Sequence, residues 1–183
     1  MITLNSSSAK LKMNTHQTHT RISLFAALAL MLAVDPLPAQ TRTASTPEDR
    51  SKAVRLTRAL EADPLNSDAK EHRNWLVRWL IDVPDITVTL CGNLLGPLLA
   101  SKKNYSAEIF TQMGPSSAAF IIEHPDQAND RVAVLAAGLD GALKTYESIL
   151  KAKPKARWPF LDDLIQKRAQ GQLIEHVRQT NCK

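Results

Sequence analysis

The chain predicts an all-α fold of six to seven short antiparallel helices, arranged as a stack of helix hairpins or an irregular bundle. Three observations carry this expectation. From Ala53 onward apolar residues recur at spacings of three and four, the period of an amphipathic helix. Turn-forming Pro, Gly, Asn and Asp interrupt that pattern every ten to twenty residues or so. Only Ile86 to Cys91 alternates like a strand, and no second stretch offers it a ladder partner.

The first segment is read as a leader. The run Ile22 to Val34 follows Arg21, contains only Ser23 as a polar residue, and ends in Asp35-Pro36 and then Leu37-Pro38-Ala39. A positive flank, a short apolar stretch and a small residue before a polar break form the plan of a secretory signal peptide. A membrane span wants about 20 apolar residues, so this run is short for one, although an uncleaved N-terminal anchor is the competing reading. Residues 1–39 are therefore expected to be a signal peptide cut after Ala39, with either Met1 or Met13 as its start. Residues 40–46 then form a flexible polar lead-in, and residues 47–183 a single helical domain in the size range that buries about 68% of its unfolded surface.

Thr46-Pro47-Glu48-Asp49 combines a capping hydroxyl, proline at the first helical position and first-turn acids. Ala53, Leu56 and Leu60 give that first helix its inward stripe, and it ends near Ala62. Asp63-Pro64-Leu65-Asn66 turns the chain, because a residue before proline resists helical geometry. Ser67 is the expected cap of a second helix carrying His72, Trp75, Leu76, Trp79 and Leu80 on one broad face. The stretch Asp85 to Ala100 fits both a half-buried strand and a helix with Ile86, Leu90, Leu94 and Leu98 every fourth residue. Helix is preferred, capped by Asp85 and broken near Gly96-Pro97.

A further helix opens at Asn104 or Ser106, is kinked or split at Gly114-Pro115, and closes at Glu123-His124-Pro125-Asp126. The best-defined helix follows, with Val132, Leu135, Leu139, Ala142, Tyr146 and Ile149 in register. Gly138 and Gly141 weaken it by about 1 kcal/mol each, and they let another backbone come close on their side. Pro154 stops it. Trp158-Pro159 opens the last helical region, which Gly171 divides.

Composition bounds the partners. A net charge of +5 over 183 residues, spread along the chain, argues for solubility rather than for nucleic acid. The local excess Lys151, Lys153, Lys155 and Arg157 fits a helix C-terminus, where cations complement the dipole. Once the leader is gone, no membrane segment is expected. Cys91 and Cys182 are the two cysteines, and an even count in an exported chain reads as one disulfide. Closing a loop of about 90 residues is worth on the order of 4 kcal/mol and pins the C-terminal tail.

Ala142, Tyr146, Ile149 and Pro154, together with Ala59, Leu60, Asp63 and Pro64, resemble the second helix of tetratricopeptide repeats. Ile149 stands where those repeats carry a small residue, and their first-helix signature is missing. The resemblance implies stacked helix hairpins with a groove for a protein or peptide. It carries no catalytic residues.

Few side chains suggest chemistry. Glu123, His124 and Asp126 are close in sequence, but Pro125 interrupts the spacing a metal needs and H-P-D is a common helix stop. Asp162 and Asp163 suit the first turn of a helix. There is no G-x-S-x-G nucleophile motif and no glycine-rich phosphate loop, so no catalytic residue, metal ligand or cofactor is assigned. Trp75, Trp79 and Trp158 are core residues or candidate anchors for a partner peptide. The expected function is an exported, non-enzymatic helical module that binds a protein or peptide. The alternative is a small exported enzyme, or an inhibitor or immunity protein, whose site residues converge only in the fold.

Overall fold

A computed structural model describes residues 42–182. The expected signal peptide and its expected cleavage site lie outside the described residues. Within them the chain forms six α-helices and two 3-10 segments, with no strand. The helices are α1 (Pro47–Ala62), α2 (Ala69–Asp82), α3 (Ser106–Glu123), α4 (Arg131–Ala152), α5 (Pro159–Ala169) and α6 (Leu173–Gln179). The 3-10 segments are Gly92–Ala100 and Pro125–Gln127. The all-α class read from the sequence is the observed one. No described helix is long and apolar enough to cross a membrane.

The start of α1 is set by its capping residue. Thr46 takes an extended conformation and its hydroxyl accepts from the Asp49 N–H at 3.1 Å, an arrangement worth about 1 kcal/mol. Ahead of it Ser45 is tied rather than loose. Its N–H and hydroxyl both donate to the Asp85 carboxylate, at 2.8 and 2.6 Å, and Arg50 joins them at 2.7 Å. These contacts, the Ser45 hydroxyl foremost, hold the Asp85 carboxyl well below the usual carboxylate range. Asp85 therefore anchors the N-terminal segment and caps no helix. Ser67 does not cap α2 either; its hydroxyl donates to Asp68, the residue that precedes the helix.

The helix expected from Asp85 is corrected. Asp85 lies in a bend and residues 86–91 form neither helix nor strand, and only the 3-10 segment that follows is helical. The run Ile86-Thr87-Val88-Thr89 is β-branched throughout, and such side chains are stiff and crowd a helix. Their preference outweighs the four-residue leucine spacing. Ile86 and Cys91 point inward, while Thr87, Thr89 and Leu90 face solvent. Gly96 breaks the 3-10 segment with φ 55° and ψ −129°, a region open to glycine alone, and Pro97 follows it.

Of the kink or split expected at Gly114-Pro115, the split does not occur: α3 runs unbroken through both residues. Proline offers no N–H to the Thr111 carbonyl, a cost that packing offsets here. From Gln112 to Ala119 every residue of α3 is buried, between α1 on one side and α4 on the other. The α3–α4 pair is antiparallel, with Ser117 against Val134 and Gly138 and Ser116 against Gly141. This is the close approach that the two glycines of α4 suggested.

Two core clusters result. The larger joins α3 and α4 to the 3-10 segment, α5 and α6 through Leu94, Ile109, Leu139, Tyr146 and Leu161. The smaller lies beneath α1 and α2 and is built on Leu56, Leu60, Leu76, Trp79 and Ile86. Cys91 and Cys182 form a disulfide with Cα atoms 5.4 Å apart, which joins the C-terminal tail to the larger cluster. Asn93 and Arg131 add hydrogen bonds to the Asn181 and Cys182 carbonyls. Between α5 and α6, Gly171 at φ 72° closes a Schellman turn, with Gln172 N–H on the Lys167 carbonyl and Gly171 N–H on that of Arg168.

Tyr146 is fully buried at its ring, and its hydroxyl is a junction. It donates to Asp162 at 2.8 Å and accepts from the Trp158 N–H at 2.8 Å. Burial, more than the neighbouring carboxylate, pushes its ionisation up to about 12 from 10.0. The neutral phenol is thus favoured in the fold. Its stabilising contribution is complete below pH 10 and is lost as pH rises toward 12. The loss is expected to reach about 1 kcal/mol, because solvent near Asp162 screens part of the effect. Urea midpoints followed from about pH 9 upward check this, with Tyr146→Phe expected to fall less steeply over the same range. An equal slope in the two proteins would show that the phenol has no such linkage.

Candidate functional site

The three tryptophans are placed apart. Trp75 and Trp79 stack along α2 with ring centroids 5.8 Å apart and planes 9° from parallel. Trp79 is only 8% exposed and belongs to the smaller core, so it cannot seat a partner, and its Nε1 is buried without a hydrogen-bond acceptor. Trp75 is partly buried, with the Lys52 ammonium 4.1 Å above its ring. Trp158 lies in the other cluster, and its Nε1 donates to the Asn104 carbonyl at 3.1 Å. That bond braces Asn104 and Tyr105, two successive residues in the left-handed region.

The chain also brings together a polar seam that the sequence left scattered. Glu61 of α1 is the only buried carboxylate among the described residues. Ser116 donates to it at 2.7 Å, and Arg58 grips both its oxygens at 2.8 and 3.0 Å. Gln112 donates to Ser116 at 3.1 Å, and Ser148 donates to the Glu61 carbonyl at 2.8 Å. Burial alone would lower the Arg58 guanidinium; its hydrogen bonds to Glu61 and Glu123 more than offset that and raise it. Ser116 is 1% exposed and Glu61 bonds to side chains of α1, α3 and α4, so the seam ties these three helices together, with Arg58 on its solvent side.

The remaining candidates are dispersed. Glu123 pairs with Arg58, and His124 packs against Phe120 with ring centroids 4.7 Å apart. Asp162 serves Tyr146, while Asp163 pairs with Lys167 at 3.0 Å. No group of three His, Cys, Asp or Glu among the described residues is arranged to hold a metal ion.

A groove between α2 and α3 of about 620 Å³ opens to solvent, in the size range of ligand and peptide sites. Its apolar strip comprises Val77 and Ile81, one turn apart on α2 and 38% and 61% exposed. Lys70, Arg73 and Arg78 stand beside them, with Glu108 and Thr111 across on α3. None of the tryptophans lines it. A sequence signal for it existed. Between Trp75 and Ile81 every residue except Arg78 is apolar, which is wider than one buried stripe requires. Leu76 and Trp79 take the inward positions, and Val77 and Ile81 are left outside.

No protein-family model matches the chain, and neither a curated protein nor a solved structure resembles it closely enough to count as a relative.

Proposed function

We propose that this protein is an exported helical module without enzymatic activity that binds a protein or peptide through the α2–α3 groove, in a scaffold or assembly role. The observation that carries the reading is the pair Val77 and Ile81, two large apolar side chains held open in the α2–α3 groove. Apolar side chains grouped beside polar groups mark interaction sites more often than scattered surface residues do. The sequence resemblance of Ala142, Tyr146, Ile149 and Pro154 to tetratricopeptide repeats supports the same reading. The disulfide supports the compartment, because such bonds persist in oxidising surroundings, and the apolar leader supplies a route there.

Site-directed photo-crosslinking in the producing cell tests the proposal. A photoreactive residue in place of Ile81 is expected to form a discrete protein adduct in the exported fraction. The same residue in place of Gln170, exposed at the C-terminal end of α5 and outside the groove lining, is expected to form none. Absence of an adduct from position 81, or equal adducts from both positions, would overturn the binding role.

A further inference from the structure

We propose that the α2–α3 groove takes an acidic amphipathic helix of a different protein. The inference rests on the binding role above and specifies the chemistry of the partner. Three cations and one carboxylate line the groove. Arg73 is engaged with the Pro64 carbonyl at 3.0 Å, whereas Lys70 and Arg78 make no ion pair among the described residues. The surface therefore offers two large apolar side chains one turn apart and unspent positive charge beside them. An occupant matching both carries an apolar stripe flanked by Asp or Glu.

Shape and charge argue against other occupants. The strip follows one turn of α2, whose 14 residues extend about 21 Å, so a short helix laid alongside meets Val77 and Ile81 with its i and i+4 side chains. A second copy of this chain, docked about a two-fold axis, sets Lys70, Arg73 and Arg78 against their own equivalents. An anionic membrane is flat, whereas this site is recessed between two helices.

The test uses the full chain and a dye-labelled synthetic peptide of about four helical turns, with Leu at i, i+3, i+4 and i+7 and Glu elsewhere. Fluorescence anisotropy is expected to show binding that weakens as salt is raised. A scrambled peptide of the same composition, and a peptide with Lys in place of Glu, are each expected to bind about ten-fold more weakly. Ile81→Asp, at an exposed position, is expected to lower affinity for the Glu peptide by about ten-fold. The paired change Lys70→Glu and Arg78→Glu is expected to reverse the preference, so that the Lys peptide binds better. Equal binding of the Glu and Lys peptides, or no effect of Ile81→Asp, would overturn the proposal. Retention on phosphatidylglycerol vesicles without binding of the Glu peptide would overturn it in favour of a membrane surface. If position 81 still forms its adduct in cells while the Glu peptide fails, the binding role stands and the acidic chemistry falls. If both fail, both fall.

Discussion

Replacing Cys91 and Cys182 together by alanine is expected to lower unfolding stability by about 2–4 kcal/mol. The bond joins positions 91 residues apart, and a loop of that length removes much of the freedom of the unfolded chain. The entropic value of about 4 kcal/mol is a ceiling for two reasons visible in the fold. Asn93 and Arg131 hold the Asn181 and Cys182 carbonyls whether or not the sulfurs are joined. Leu173 and Val177 also keep α6 in the larger core independently of the bond. Helix content should therefore persist while the urea midpoint falls. The dependence of stability on urea should steepen, because the unlinked chain exposes more surface when it unfolds. Alanine is the better replacement, since Cys91 is 5% exposed and serine would bury a hydroxyl there. Before reduction the wild-type protein should weigh two hydrogens less than after it. Midpoints unchanged by the double substitution would show that the tail is secured by its hydrogen bonds and α6 packing alone.

The fold was legible where local chemistry and burial agree. Thr46 and Pro47 open α1, Pro154 follows the end of α4, and Gly171 separates α5 from α6, because each of these residues restricts the backbone by itself. Legibility failed where tertiary packing decides. Pro115 marks a kink in any isolated helix, yet it sits in the most enclosed stretch of α3 and the helix continues. Residues 85–91 presented two periodicities at once, and the β-branched run prevailed over the leucine spacing. The candidate groove was legible only as an excess. α2 carries more apolar side chains than one buried face can hold, but which of them remain outside depends on where α1 and α3 press against it. Tryptophan is the residue most often found as an anchor, and size drew attention to Trp79. Size equally favours burial, and in this chain burial won.

The glycines of α4 carry the other large expected effect. In an exposed helix, glycine to alanine stabilises by about 1 kcal/mol. At Gly141 the sign is expected to reverse. A Cβ there would stand 1.9 Å from the Ser116 hydroxyl oxygen, 2.3 Å from the Ser116 Cβ and 2.8 Å from a Glu61 oxygen. Rotating Ser116 relieves only the first of these contacts, and it breaks the bonds to Glu61 and Gln112 that satisfy buried groups. The Cβ contact yields only if α3 and α4 separate, which loosens the core around Met113, Leu139 and Leu143. Overpacking of this kind costs about 1–3 kcal/mol, and the strained seam adds to it, so Gly141→Ala is expected to destabilise by about 2–3 kcal/mol after its gain in helix propensity. Gly114→Ala is the matched control. Its Cβ would meet Leu80 and Leu90 at 3.7 Å, ordinary contact, so it should stabilise by about 0.5–1 kcal/mol. Adding Ser116→Gly to Gly141→Ala removes both Ser116 atoms of the clash, and the pair should be less destabilised than the two single changes summed. Urea unfolding of the wild type and these four variants, Ser116→Gly alone included, decides the matter. If Gly141→Ala and Gly114→Ala shift the midpoint alike, α3 and α4 do not meet as closely as the seam through Glu61 requires.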